Sequence, residues 1–157
     1  MLENCKSLQE RWGGVSHIID RWLQNRQELL VGYCDLSNVT EFDSNNPDHG
    51  QQLQALCENL VDYISAGHFE VYQQLMEEGR AFNDKQALSE ASQLLNEVHS
   101  ATQAALDFND KYLATDDLET LAVDLSQLGE SLAARFEIED RMIEVLHTAH
   151  QEQASAG

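Results

Sequence analysis

An all-α fold, an antiparallel up-and-down four-helix bundle of long helices, is what this sequence predicts, and three observations predict it. Apolar residues recur at helical spacing through nearly the whole chain. The single proline, Pro47, lies in the one conspicuous polar break, "NVTEFDSNNPDHG". The remaining connections are short, which makes successive helices antiparallel neighbours. Helices are expected over about 4–36, 50–79, 86–113 and 116–152. A chain of 157 residues suits one domain, 1–157, with a loop at about 37–49 and a flexible tail at about 151–157.

Each helix can be justified by projecting it at about 100° per residue. In the first, Val15, Ile18, Ile19, Trp22, Leu29, Leu30 and Tyr33 share a stripe, and Gly13 and Gly14 are positions at which it can bend. Arg26 lies near the middle of that stripe, where a guanidinium must be paired or must reach water along its own stem. The second helix turns Leu53, Leu56, Leu60, Ile64, Gly67 and Val71 inward, and Gly79 is expected to end it. The third follows the connection "EEGRAFND", and Thr115 or Asp116 would cap the fourth. In that last helix Leu121, Leu125, Leu128, Leu132, Phe136, Ile143 and Leu146 form the stripe, with Glu139 inside it.

Two features do not fit a plain bundle. Opposite the second helix's apolar stripe lie Glu58, Asp62, Ser65, Phe69 and Met76, with Tyr72 at the edge. That face is too apolar to be merely solvated and too acidic to be a second core seam. Phe69 and Tyr72 could pack under the 37–49 loop or against a neighbouring helix, beside ordinary surface acids. Alternatively the face binds a protein, its aromatic and Met anchors supplying buried area and its carboxylates selecting a basic partner. The second feature is a buried polar layer, in which Arg26 would meet Glu139, with His68 close enough to join them. Such a layer either fixes which helix neighbours which, or is the start of a metal or active site. A di-metal carboxylate bundle needs two Glu-x-x-His motifs, and the one copy here is "EVLH", Glu144 to His147.

Charge narrows the choice of partner. The formal net charge is -19, from 28 acids against 9 Lys and Arg. Residues 1–34 carry four of each sign, and ten acids but no Lys or Arg lie between Arg26 and Arg80. This field repels nucleic acid and anionic membrane and attracts a basic protein or a cation. Cys5, Cys34 and Cys57 form no CxxC pair, and Cys34 and Cys57 accompany apolar residues as small buried hydrophobes would. No phosphate loop, nucleophile elbow or HExxH occurs, and His17, His49, His99, His147 and His150 lack ligand spacing. No catalytic residue, metal or cofactor is therefore assigned. The opening "MLENCKSLQERWGG" lacks a signal-peptide pattern and no apolar run is long enough to span a bilayer, so the expected location is the cytoplasm.

The strings "IIDRWLQNRQELLVGYCDL", "LCENLVDYISAGHFEVYQQL" and "LGESLAARFEIEDRMI" resemble the Rsd/AlgQ family of bacterial anti-sigma factors, and the likeness runs from about Met1 to Ile143. "MLENCKSLQERWGGV" is more similar to the AlgQ branch than to the enterobacterial Rsd branch. The resemblance implies a non-enzymatic helical bundle that sequesters the primary sigma-70 factor of RNA polymerase, chiefly through region 4, the module that reads the −35 promoter element. Housekeeping transcription would fall and alternative sigma factors would gain core enzyme, as in stationary phase. For some members it also implies contact with a phosphotransferase-system phosphocarrier protein. Asp62, the aspartate of "LVDY", resembles the family position tied to sigma binding. Other classes of function stay open beside this: a metal-binding bundle using Glu139, Glu144, His147 and His68, or an acidic adaptor serving several partners.

Overall fold

Helix α1 runs unbroken from Leu2 to Ser37, through both expected bend points. A Cβ on Gly13 or Gly14 would meet nothing within 4 Å, so neither glycine is required by packing. The computed structural model describes residues 2–43, 45–115 and 117–155, with side chains from Leu8 onward.

The second rod is built from three pieces. Helix α2, Pro47–Ala66, starts where Asn46 caps the backbone N–H of Asp48 at 2.9 Å and proline fills the first helical position, where its missing N–H costs nothing. A single π-helical turn, Gly67–Val71, follows, with the N–H of Tyr72 donating to the carbonyl of Gly67. Helix α3 continues from Tyr72 to Ala81. Gly79 therefore does not end the rod. The reversal comes at Asn83, whose φ of 55° is left-handed, a conformation asparagine tolerates better than most residues. Gly79 is instead a packing position, because a Cβ there would come within 2.8 Å of both Leu88 and Leu146.

Helix α4, Lys85–Ala114, is capped by Asp84, whose carboxylate accepts from the N–H of Ala87 at 3.0 Å. Helix α5, Leu121–Leu146, begins five residues later than expected, after Thr120. Thr115 instead stands at the end of α4 in an extended conformation, its hydroxyl accepting from the N–H of Asp117 at 3.1 Å. Asp116, the alternative cap, lies outside the described residues. A 3-10 turn, Thr148–His150, leads into a short helix α6, Gln151–Ser155. The tail predicted to be flexible is thus folded as far as Ser155, with Ala154 buried; residues 156 and 157 lie outside the described residues.

Cross-links fix the topology. From α1, Arg26 reaches Tyr63, Arg21 reaches Glu70 and Arg11 reaches Glu77, so α1 and the second rod are antiparallel. Lys111 meets Asp124, Thr102 meets Arg135 and Glu90 meets Arg141, so α4 and α5 are antiparallel too. These pairings are the up-and-down bundle the short connections predicted. Trp22, Leu29, Leu56, Leu60, Leu75, Leu121, Leu128 and Leu146 are almost wholly buried along its axis. Two stripe assignments fail: Leu30 is exposed at the rim of α1, and Cys34 is exposed where a buried thiol was expected, because both lie a step outside the core arc. Cys57 is buried, and burial with the nearby Glu58 charge pushes its thiol up to about 11.

Candidate functional site: an acidic, apolar face above a buried polar network

The expected partner face is only partly as the projection drew it. Phe69 is 70% exposed, and neither the 38–46 connection nor a neighbouring helix covers it. Glu58 and Asp62 are exposed, Ser65 is half-buried, and all three follow one another at helical spacing along α2. Helix α4 adds apolar residues that sequence reasoning missed. Leu113 is 68% exposed and Leu106 37% exposed. Leu106, Phe69, Ser65 and His99 line a groove of about 320 Å3, and Glu58, Asp62, Val61 and Leu113 line the next, about 400 Å3. The α2–α4 seam thus carries two carboxylates between apolar side chains. The sequence could have pointed to Leu113, which ends the α4 pattern next to a charged "NDK" run, but not to which rod it would face.

Tyr72 corrects the prediction. It is 4% exposed, and its hydroxyl points into the bundle. The π turn explains why, since it advances fewer degrees per residue than the ~100° used for projection. Every residue beyond it rotates back toward the core stripe, which draws Tyr72 inside and leaves Met76 half-buried against the core. Gly67 permits this at the start of the turn, because a Cβ there would lie 3.0 Å from the Trp22 ring.

Beneath the face sits the polar layer, larger than Arg26 and Glu139 alone. Glu139 is 1% exposed. One of its oxygens accepts from the Tyr63 hydroxyl at 2.6 Å; the other accepts from the Tyr72 hydroxyl and from Nε of Arg135 at 3.0 Å. Arg135, also 1% exposed, donates further to the Tyr72 hydroxyl at 2.7 Å and to Oγ1 of Thr102 at 2.8 Å. Arg26 donates to the Tyr63 hydroxyl at 3.0 Å and to Asp140 at 2.6 Å, and its Nη2 lies 3.5 Å from Glu139. The predicted Arg26–Glu139 pairing exists, then, but the nearest cation to Glu139 is Arg135, one helical turn back on the same helix.

Burial first, and the adjacent Glu139 charge second, raise both Tyr63 and Tyr72 far above the ordinary phenol value, so each hydroxyl stays a donor. For Arg26 and Arg135 burial alone would lower the pKa. The neighbouring tyrosine oxygens and carboxylates outweigh it, and both guanidiniums are held more firmly protonated than usual. The layer is a cation–anion–cation arrangement in which Nη2 of Arg26 is buried without a hydrogen-bond partner, and the Arg26 guanidinium stacks over Phe136 at 4.6 Å to the ring centroid.

His68 is not part of it. Its side chain is exposed on the π turn, facing His99 of α4 with ring centroids 5.7 Å apart. Nor do Glu139, Glu144, His147 and His68 converge as a metal-binding bundle would require. Glu144 is on the surface beside Arg141 at 3.3 Å. His147 is buried with its Nδ1 2.8 and 2.9 Å from the two oxygens of Glu78, and it stacks on Trp12 at 4.3 Å. Among the described residues no group of three His, Cys, Asp or Glu side chains could hold a metal ion. No helix of the described residues is long and apolar enough to cross a membrane.

The chain as a whole is similar to known proteins. A family model described as "Regulator of RNA polymerase sigma(70) subunit, Rsd/AlgQ" matches residues 1–147. A protein of Pectobacterium carotovorum subsp. carotovorum named "Regulator of sigma D" is 37% identical over 152 residues, 94% of this chain and 99% of that protein. Proteins of the same name from Yersinia pseudotuberculosis serotype O:1b and Yersinia enterocolitica serotype O:8 are each 35% identical over 150 residues. Those alignments span 92% of this chain and 88% and 89% of the relatives.

Proposed function

The chain belongs to the Rsd/AlgQ family of regulators of the RNA polymerase sigma(70) subunit, and from that premise we propose how it regulates. It is an anti-sigma factor. It sequesters the primary sigma factor through the α2–α4 face, and the part of sigma it grips is region 4, the basic module that reads the −35 element. Held there, sigma is unavailable to promoter DNA and to core polymerase, so housekeeping transcription falls and alternative sigma factors gain access. In this reading the protein is one domain that acts by binding rather than by catalysis, in the cytoplasm where its target is.

One observation carries the reading: Phe69, 70% exposed, stands with Leu106 and Leu113 around the exposed carboxylates of Asp62 and Glu58. Exposed apolar side chains in two grooves of one helix seam, with carboxylates beside them, suit a partner of the opposite charge. With a net charge of -19 behind it, the face favours a basic helical module that ordinarily binds DNA. Ser65 and the half-buried Met76 lie at its margin; Tyr72 contributes from below, by holding the π turn that carries Phe69.

The test is size-exclusion chromatography and calorimetry with purified primary sigma factor, then with isolated region 4. Asp62→Ala is expected to weaken binding by about 1–4 kcal/mol, the range for an interface anchor, with unchanged circular dichroism. Undiminished affinity in that variant would exclude this face. Binding to full-length sigma without binding to region 4 would move the contact elsewhere on sigma.

A further inference from the structure

A second cleft lies on the other side of the His68–His99 pair, between the π turn with α3 and helix α4. Its volume of about 350 Å3 is within the range of small-molecule sites. We propose that this cleft binds a small organic anion, an oxyanion head joined to an apolar body the size of one ring or a short chain.

Charge is the first argument. The chain has 28 acids and 9 Lys and Arg, yet this cleft gathers Arg80, His68 and His99 with the amide of Gln73. The five other guanidiniums each have a carboxylate: Arg11 with Glu77, Arg21 with Glu70, Arg26 and Arg135 with Glu139, Arg141 with Glu90. Among the described residues no carboxylate lies within ion-pair distance of Arg80. The one acid of the lining, Glu77, is turned to Arg11 at 3.7 Å. A guanidinium without a carboxylate partner among the described residues, converging with two imidazoles on one hollow, forms a natural seat for a carboxylate or a phosphate monoester, whose oxygens accept what these groups donate.

Shape and backbone agree. Met76 and Leu95, both half-buried, and the Tyr72 ring supply the apolar wall against which a ligand's body would rest. His68 reaches the cleft because it is carried by the π turn, an irregularity that recurs at functional sites. His68, Tyr72 and His99 also line the groove beside Phe69, so an occupant here would touch the same side chains that frame the partner face. Binding itself is read on the isolated protein and does not depend on the sigma reading.

The experiment is a titration of the full chain with phenyl phosphate, benzoate, inorganic phosphate and, as an uncharged control, benzyl alcohol. It follows the His68 and His99 ring resonances and the Met76 methyl by NMR. Saturable shifts of all three with phenyl phosphate or benzoate, weaker ones with inorganic phosphate and none with benzyl alcohol are expected. Arg80 is exposed, so Arg80→Ala should fold normally and weaken binding about tenfold, the factor for one charge-assisted hydrogen bond. Absence of saturable shifts with both aromatic anions would overturn the proposal. So would equal affinity in Arg80→Ala, or equal response to benzyl alcohol.

Discussion

Glu139 shows how much one residue can hold. Two arginines and two tyrosine hydroxyls point at its carboxylate, and it and Arg135 are sealed from water. Removing one partner of a buried pair leaves the other charge uncompensated, so Glu139→Gln is expected to cost about 3–5 kcal/mol in urea unfolding. A loss under about 1 kcal/mol would mean that Thr102 and the tyrosines satisfy Arg135 by themselves. Phe69 should behave in the opposite way. Being exposed, it contributes little to the fold, and Phe69→Ala should change stability by less than about 0.5 kcal/mol. The same variant should weaken sigma binding by about 2 kcal/mol or more, as an aromatic anchor does. Calorimetry beside thermal melting separates the two effects. Sequence periodicity placed Phe69 outside and Glu139 inside correctly, since each is a statement about one helix. It missed Arg135, whose burial depends on Tyr72 and Thr102 arriving from two other helices.

Among the elements, the π turn and the α3–α4 connection decide most. Five residues of slower winding re-aim everything from Tyr72 to Ala81, which no periodic template of fixed pitch anticipates. The connection after Ala81 is held by Asp84, which caps α4 and also meets Nε2 of His150 at 2.9 Å, while Phe82 stacks on the same imidazole at 4.6 Å. The two ring nitrogens of His150 lie within hydrogen-bond distance of the Leu146 carbonyl, at 2.8 Å, and of the Asp84 carboxylate, at 2.9 Å. The N–H of Ala87 first, and His150 second, lower the Asp84 pKa below the usual carboxylate value. A depressed carboxylate contributes stability that is complete above its unfolded pKa, about 3.9, and is lost as pH falls through the lower folded value. Asp84→Ala should therefore destabilise by about 1 kcal/mol near neutrality, the size of a lost cap. The gap to the parent should close in acid, below about pH 4. Urea melts across that range test it; a gap that stays constant into acid would show that the carboxylate's charge is not what matters. The predicted Gly79 terminus failed for a related reason. Glycine often ends helices, but here it admits Leu88 and Leu146, and Gly79→Ala should cost about 1–3 kcal/mol by overpacking.

At the scale of the molecule, the net charge of -19 governs encounter. Association with a basic sigma module should slow as salt rises from about 0.05 to 0.5 M, while dissociation, set by buried contacts, changes less. Stopped-flow mixing measures both rates, and a salt-independent association rate would remove electrostatic steering from the mechanism. What the sequence by itself determined is what local chemistry writes: helices from apolar spacing, a break at Pro47, antiparallel order from short connections, and an acidic face with Phe69 and Asp62 on it. What only the tertiary structure decided is which distant groups meet. Glu78 finds His147, Asp84 finds His150, and His68 leaves the polar layer to face His99 across the α3–α4 cleft. The reason is physical. A helix's inward face is set by residues three and four apart, whereas the meeting of buried charges depends on the mutual rotation and register of rods, which one π turn in the second rod is enough to reset.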